Sequence, residues 1–428
     1  MFALVLILCA LTVVDNWPQW RGPRGQGVSD EKNLPLEWSP TKNIKWKTAI
    51  AGRGHSSPIV WGNRLFLTTA VEGAVIPGAG AVKHVINGQT VKFPDTGGAE
   101  RSHSLKLLCV DVDTGKIVWE RTVYEGRMYD DRQKTNSYAS STPATDGRYV
   151  YAYFGSEGLY CYDFDGNLIW TVKLGGIAKM GYGEGTSPII FENLVILQVD
   201  TEMGDASYIA AFDRSNGKQV WKTARKNRAS WSTPVVVRGS KRVELIANGA
   251  ESVTSYDPAT GKELWQTEGL VSHAIPSSLV GDDLVFVYAG SHDKHGLALR
   301  VGETSVSDRI AWRHDKGTAY VASGVLYDGS IYLITDSGTM TALDAKTGHL
   351  KYEGGRIPSP STFFASPVAF EGKILITSQD GDTFVINAGP KHEIVFTNSV
   401  GEPVYASPAI SGGKIFIRGE RNLYCIAK

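Results

Sequence analysis

The chain has no charge of one sign to spare: 44 lysines and arginines balance 44 aspartates and glutamates. A phosphate backbone is met by a basic face, and none is foreshadowed, so nucleic acid is excluded as a partner. Cysteine is scarce, with four among 428 residues. None is adjacent to another, and none forms a CxxC or CxxCH step, so zinc, c-type haem and redox-dithiol chemistry lack their usual spacing. The apolar run Phe2–Val14 falls short of the about 20 residues that span a bilayer. It has the dimensions of the apolar core of a secretory signal. No Lys or Arg precedes it and no clear A-x-A site follows. The expectation is a signal peptide over 1–14, cleaved near Val14–Asp15, and export of the rest. Cys9 lies inside it, after Leu8 rather than a small residue, and peripheral membrane association would follow only from lipidation at Cys9.

What is abundant is glycine (47), tryptophan (11) and tyrosine (18). Many glycines among many aromatics point to short strands joined by tight turns, hence an all-β protein. One stretch recurs. Asp257–Trp265 reads DPATGKELW, Asp111–Trp119 DVDTGKIVW, Asp213–Trp221 DRSNGKQVW, Asp344–Tyr352 DAKTGHLKY and Asp163–Trp170 DFDGNLIW. Asp bonds the backbone two residues on, and Gly accepts the positive φ that closes the turn. The aromatic that follows lands on the next strand: Trp46, Trp119, Trp170, Trp221, Trp265, Trp312, Tyr352 and Phe396. A Ser-Pro-like step alternates with it, at Pro58, Pro143, Pro188, Pro234, Ser277, Gly324, Pro367 and Pro408. The period, about 40 to 50 residues holding four strand-like runs, is that of a β-propeller blade. The last unit lacks its fourth strand, and 44–50 is a fourth strand with nothing before it. Joining them closes an eight-bladed propeller and removes its free edges. Blades five and seven depart at Leu297–Arg300 and Asn387, read as drift.

Residues 15–43, with WPQWRGP, are too rich in Pro and Gly for helix or central strand and are read as a strap packed on the propeller of 44–428. Cys109, Cys161 and Cys425 share one repeat position, where each is expected as a small buried apolar side chain. Residues 71–104 form an inserted loop in the first blade, with a possible hairpin at 81–86 and 90–93 around Asn87-Gly88. Loops that long are usually functional or disordered. Up-down topology puts this insert, the connection 121–138, the loop 200–207 and the segment 291–295 on one face. The residues that open each innermost strand ring a central funnel on that face: Arg53, His55, Tyr138, Glu184, Trp231, His273, Tyr320, Phe363 and Tyr405. They are the candidate ligand-binding rim. Asp200, Glu202 and Asp205 could ligate calcium, and His84, His103, His292 and His295 with Asp293 a transition metal. A solvated acidic turn and scattered histidines are the plainer readings. Glu184, His55 and His273 could act as acid and base; hydrogen-bonded funnel wall is the plainer reading. Ser56-Ser57, Ser140-Ser141 and Ser232 recur with the blades, as strand-capping hydroxyls do. No catalytic or metal residue is assigned.

The repeated A-x-D-x-x-T-G-x-x-x-W pattern over 44–428 resembles the PQQ-type, quinoprotein-like β-propeller repeat family. The opening WPQWRGP, then LPLEW and KNIKWKT, is similar to the entry of exported bacterial members. The resemblance implies one of two activities. Quinoprotein dehydrogenases hold PQQ and Ca²⁺ in the funnel, often under a disulfide between adjacent cysteines, which this chain lacks. The non-enzymatic branch, typified by the propeller lipoprotein of outer-membrane β-barrel assembly, agrees in length and blade number. The sequence thus points to an exported, periplasmic or envelope scaffold without a cofactor, binding a protein or extended ligand on its loop-rich face. A PQQ/Ca²⁺ oxidoreductase is the alternative, and a carbohydrate-binding propeller a weaker one.

Overall fold

The recurring Asp-x-x-Thr-Gly-x-x-x-Trp stretch is explained by two contacts at once. Inside its turn, Asp111 Oδ1 accepts the backbone N–H groups of Asp113 and Thr114 and the Thr114 hydroxyl. Asp344 does the same for Lys346 and Thr347. The glycine then takes φ near +70°, as at Gly115, Gly217, Gly261 and Gly348. Its missing side chain leaves room for the tryptophan of the preceding blade. A Cβ on Gly261 would stand 2.4 Å from the Trp221 ring, and one on Gly115 2.6 Å from Trp46. The indole N–H completes the contact by donating into the same turn. Trp46 Nε1 reaches the Val112 carbonyl at 2.9 Å, Trp119 that of Phe164 at 2.8 Å and Trp170 that of Arg214 at 3.0 Å. Trp221 reaches Pro258 and Trp312 reaches Ala345, both at 3.2 Å.

The computed structural model describes residues 15–428 apart from 81, 87, 269, 271–272, 291–294, 303–304 and 359–360. The expected signal peptide with Cys9, Ala81 and Asn87 of the expected hairpin, and Ser291, His292 and Asp293 lie outside the described residues. The architecture is all-β: eight antiparallel sheets of four strands each. Strands are lettered A to D from the axis outward, because the A strands of successive blades touch one another. The last blade takes its outermost strand from the start of the chain. Ile44–Ala49 pairs antiparallel with Asn422–Ile426. On strand C, the residue facing each belt aromatic is small or branched: Cys109 opposite Trp119, Cys161 opposite Trp170, Cys425 opposite Trp46. All three thiols are free and buried. Burial pushes those of Cys109 and Cys425 up to about 12.

Blade five lacks the Asp-Thr-Gly turn. Its C–D connection instead carries a short helix, Val306–Arg309. The belt is mended from blade four. Glu244, fully buried, accepts Trp265 Nε1 and the Ser255 hydroxyl at 2.6 Å each and the Gly302 N–H at 2.7 Å.

Blade one departs most. Its B, C and D strands are Arg64–Val75, Arg101–Asp111 and Ile117–Arg127, 12, 11 and 11 residues long. The ladder continues past Ala70 through Val71↔Ser104, Glu72↔His103 and Val75↔Arg101. Residues 71–104 are therefore in part a tall continuation of the sheet. The hairpin His84–Ile86/Gln89–Val91 and the bridge of Thr96–Gly97 to Arg132–Gln133 occupy the rest.

The strap crosses the opposite face and closes the axis from below. Trp17, Leu34 and Trp38 join the core shared by the first, seventh and eighth blades. Its bonds span the ring. Trp17 exchanges N–H···O bonds with Val60 in blade one, and the Pro18 carbonyl accepts Thr145 N–H in blade two. Gln26 Oε1 accepts Val280 N–H in blade five. Buried Arg21 donates to the carbonyls of Gly324 in blade six and Pro367 in blade seven. Glu31 caps the Gly412 and Gly413 N–H groups in blade eight.

Candidate functional site

Around the axis, the Ser-Pro step builds a ring of its own. Proline is tolerated at the first residue of a strand and holds the residue before it extended. That preceding residue bears a hydroxyl at all six prolines of the step, and Ser277 and Ser323 take the same place in blades five and six. Ser57 N–H donates to Thr142 Oγ1, Thr142 to Ser187, Ser187 to Thr233, Thr233 to Ser277, Ser277 to Ser323, Ser323 to Ser366, Ser366 to Ser407, and Ser407 back to Ser57. The closed girdle has bonds of 2.9–3.3 Å. All eight residues are buried. Trp20, rising from the strap, donates its indole N–H to Ser277 Oγ at 3.1 Å.

Above the girdle lies a cavity of about 680 Å³, lined by Trp20, seven girdle residues and the D–A connections of the loop-rich face. Six of the nine expected rim residues line it: His55, Glu184, Trp231, His273, Tyr320 and Tyr405. Three do not. Phe363 is fully buried between blades, and its neighbour Phe364 lines the cavity instead, because successive residues of an extended segment face opposite ways. Tyr138 packs its ring edge-on against His103 at 4.7 Å and donates its hydroxyl to the Asp130 carbonyl. Arg53 gives both Nη groups to the carbonyls of Lys134 and Thr135.

Two aromatic walls face each other. On the blade eight–one side, His55 stacks on Tyr405 at 4.3 Å and 12°, and Tyr405 on Phe364 at 5.8 Å and 19°. Burial, then Arg53, Arg418 and Arg132, push the His55 imidazole well below its ordinary value, so it is neutral at neutral pH. On the other side, Trp231 meets His273 at 5.6 Å and Tyr182 at 6.1 Å, edge to face, and donates its Nε1 to the Gly183 carbonyl at 2.7 Å.

The carboxylate on the wall is spoken for, whereas the buried His55 Nε2 has no hydrogen-bond partner among the described residues. Glu184 pairs with buried Lys179 at 2.9 Å and accepts the Gly185 and Thr186 N–H groups and the Tyr153 hydroxyl. Burial and the Glu184 charge push the Tyr153 hydroxyl far above its ordinary value. The other candidates disperse. Asp200 is buried against Arg225 at 2.8 Å, Glu202 holds His84 Nδ1 at 2.7 Å, and Asp205 is exposed. His103 sits on Tyr138, and His295 pairs with Asp315 at 2.9 Å. Among the described residues no group of three His, Cys, Asp or Glu could hold a metal ion. A calcium ion beside a quinone asks for six to eight oxygen ligands. Glu184 is the only carboxylate among the cavity's described lining residues, so the residues present do not fit that cage. What the site offers is stacking surface over a floor of hydroxyls.

Trp20, Tyr182, Phe364 and the continuous girdle were not singled out from sequence. The recurring hydroxyl before each proline was the available signal for the girdle, and WPQWRGP gave no hint of reaching the axis.

The fold and site can now be set beside known proteins. The chain is 21% identical over 344 residues to the outer membrane protein assembly factor BamB of Yersinia pestis, covering 75% of this chain and 78% of that one. Among solved structures, BamB from Moraxella catarrhalis superposes with a TM-score of 0.55 at 14% identity, over 85% of this chain and 98% of that one. A europium-containing methanol dehydrogenase gives 0.67 at 11% identity, over 95% and 90%. These likenesses show a shared propeller. A family model described as outer membrane protein assembly factor BamB matches residues 74–185 and 107–351. The chain therefore belongs to this family of PQQ-repeat propellers.

Proposed function

We propose that this protein is an exported, non-enzymatic binding propeller that holds a protein or other extended ligand on its loop-rich face. The observation that carries the reading is the funnel: aromatic walls around a cavity whose one carboxylate among the described lining residues is consumed by internal bonds to Lys179, Tyr153 and two backbone amides. Such a surface can hold a partner by burial and stacking. Relatives whose names describe outer membrane protein assembly factors support a protein partner in the cell envelope.

The test is site-directed photocrosslinking. A benzophenone side chain at Tyr320, on the cavity wall, should yield discrete adducts with envelope proteins, and one at Ile117, exposed on the outer edge of blade one, should not. Trp231→Ala should weaken the adduct while leaving the melting temperature within a few degrees. Addition of PQQ with Ca²⁺ serves as the opposing arm. A ligand at 100 times its Kd adds about 2.7 kcal/mol of stability, so a raised melting temperature with dye-linked alcohol oxidation would replace this reading with an oxidoreductase.

A further inference from the structure

The girdle leaves each hydroxyl with one proton and, among the described residues, no acceptor to give it to. Each Oγ already accepts a backbone N–H from the neighbouring blade. Among the described residues, none of the eight donates to a protein acceptor. Ser277 additionally accepts the Trp20 indole. Seven of the eight line the cavity, and each is more than nine-tenths buried. A hydroxyl whose oxygen accepts is polarised to donate, so the floor is a converging set of O–H donors. The surrounding charge has the same sense. Arg53, Arg132 and Arg418 stand behind His55 on one wall. Arg418 is buried and, among the described residues, carries no carboxylate partner and has Nε and Nη2 without an acceptor. The nearest acid to this group is Glu72, 3.9 Å from Arg132. Glu184, on the far wall, is neutralised by Lys179.

The funnel is also blind. Trp20 and the strap close it below, so an extended chain cannot thread through it, whereas a chain end can enter and stop at the floor. An acceptor-rich, anionic end suits the floor, and an apolar side chain beside it suits the aromatic walls. Resting on the binding reading above, we infer that the funnel is a receptor for the free C-terminal carboxylate of a polypeptide, with the carboxylate on the hydroxyl girdle. The last side chain lies between the Trp231–Tyr182 and Tyr405–Phe364 walls.

The experiment uses the full mature protein and acetyl-Ala-Ala-Ala-Phe in two forms, free acid and C-terminal amide, titrated by calorimetry and tryptophan fluorescence. The free acid should bind at least about tenfold more tightly, as expected when charge-assisted hydrogen bonds are lost. Phe364→Ala should weaken the acid form severalfold. Ser366→Ala should weaken it too and Ser366→Thr restore it, while circular dichroism reports whether the girdle variant still folds. Equal binding of acid and amide overturns the inference, as does binding of neither peptide. Saturation by a neutral oligosaccharide that displaces the acid peptide overturns it in favour of a glycan site. If photocrosslinked adducts persist while neither peptide binds, only the chain-end inference falls; if both vanish, the binding reading falls with it.

Discussion

The molecule has two closed rings, and they are held by opposite means. The outer belt joins blades through large aromatic rings, five of them tryptophans seated on glycines with the indole N–H in the neighbouring turn. The inner girdle joins the same blades through short serine and threonine hydroxyls and backbone N–H groups. The belt tolerates substitution of its chemistry: Glu244 replaces an entire turn at blade five, and Phe396 has no donor at all. The girdle keeps a serine or threonine in all eight blades. Where burial supplies the energy, a missing hydrogen bond can be compensated nearby. Where hydrogen bonds alone satisfy buried amides around an axis, every position is needed.

The sharpest way to break this contrast is at a belt glycine. Gly261→Ala combines φ of +71° with a Cβ 2.4 Å from Trp221 and should cost about 3 to 5 kcal/mol in urea unfolding. Gly62→Ala, at φ +57° in open space, should cost only about 1 to 2 kcal/mol. Equal losses would show that backbone strain, not the ring contact, governs the belt. Next is the girdle itself. Ser187→Ala strips the acceptor from the buried Thr142 N–H and should cost about 1 to 3 kcal/mol.

Acid should separate the rings without mutation. The hydroxyls of Thr114, Ser215 and Thr347 hold the carboxyls of Asp111, Asp213 and Asp344 below their ordinary value. A depressed pKa contributes stability that is complete above the unfolded value of about 4 and is lost as pH falls through the lower folded one. The girdle has nothing that titrates there. Hydrogen exchange at pH 3 should therefore open the belt indoles before the girdle amides, and Asp344→Asn should reduce the difference. The smallest effect is expected one residue from the girdle. Ser232 Oγ is buried without a partner, so Ser232→Ala should leave stability unchanged or raise it by up to about 1 kcal/mol. A loss as large as that of Ser187→Ala would mean the two positions are alike.

Much of this was legible in the residues. The Asp-Thr-Gly-Trp spacing is local, so blade count, strand order and the closing role of 44–50 could be read from it. The funnel rim was legible to within a strand's alternation: Phe363 and Phe364 differ by one position and point to opposite sides. In blade five, the sequence repeat puts Ser277 at the proline position, whereas Ser277 belongs to the girdle itself, one residue ahead of that position. What could not be read depends on partners far along the chain. Glu244 meets Gly302, Trp20 meets Ser277, and His84 meets Glu202. No local period announces such pairs. The tall first blade was hidden because residues 71–75 and 101–104 lack the turn signals that bound the other strands.

One pairing carries a consequence for how the protein comes into being. Ile44 lies beside Ile426 and Ala49 beside Asn422. During synthesis, the strand at 44–49 must wait for the one at 422–426. Until residues 422–426 emerge, seven blades and part of an eighth form an open arc with an unpaired sheet edge at each end, and such edges recruit other chains. Contacts this distant in sequence also form slowly. The ring is thus a device whose safety depends on residues 422–426, and a chain cut before residue 422 would be released as an aggregation-prone arc.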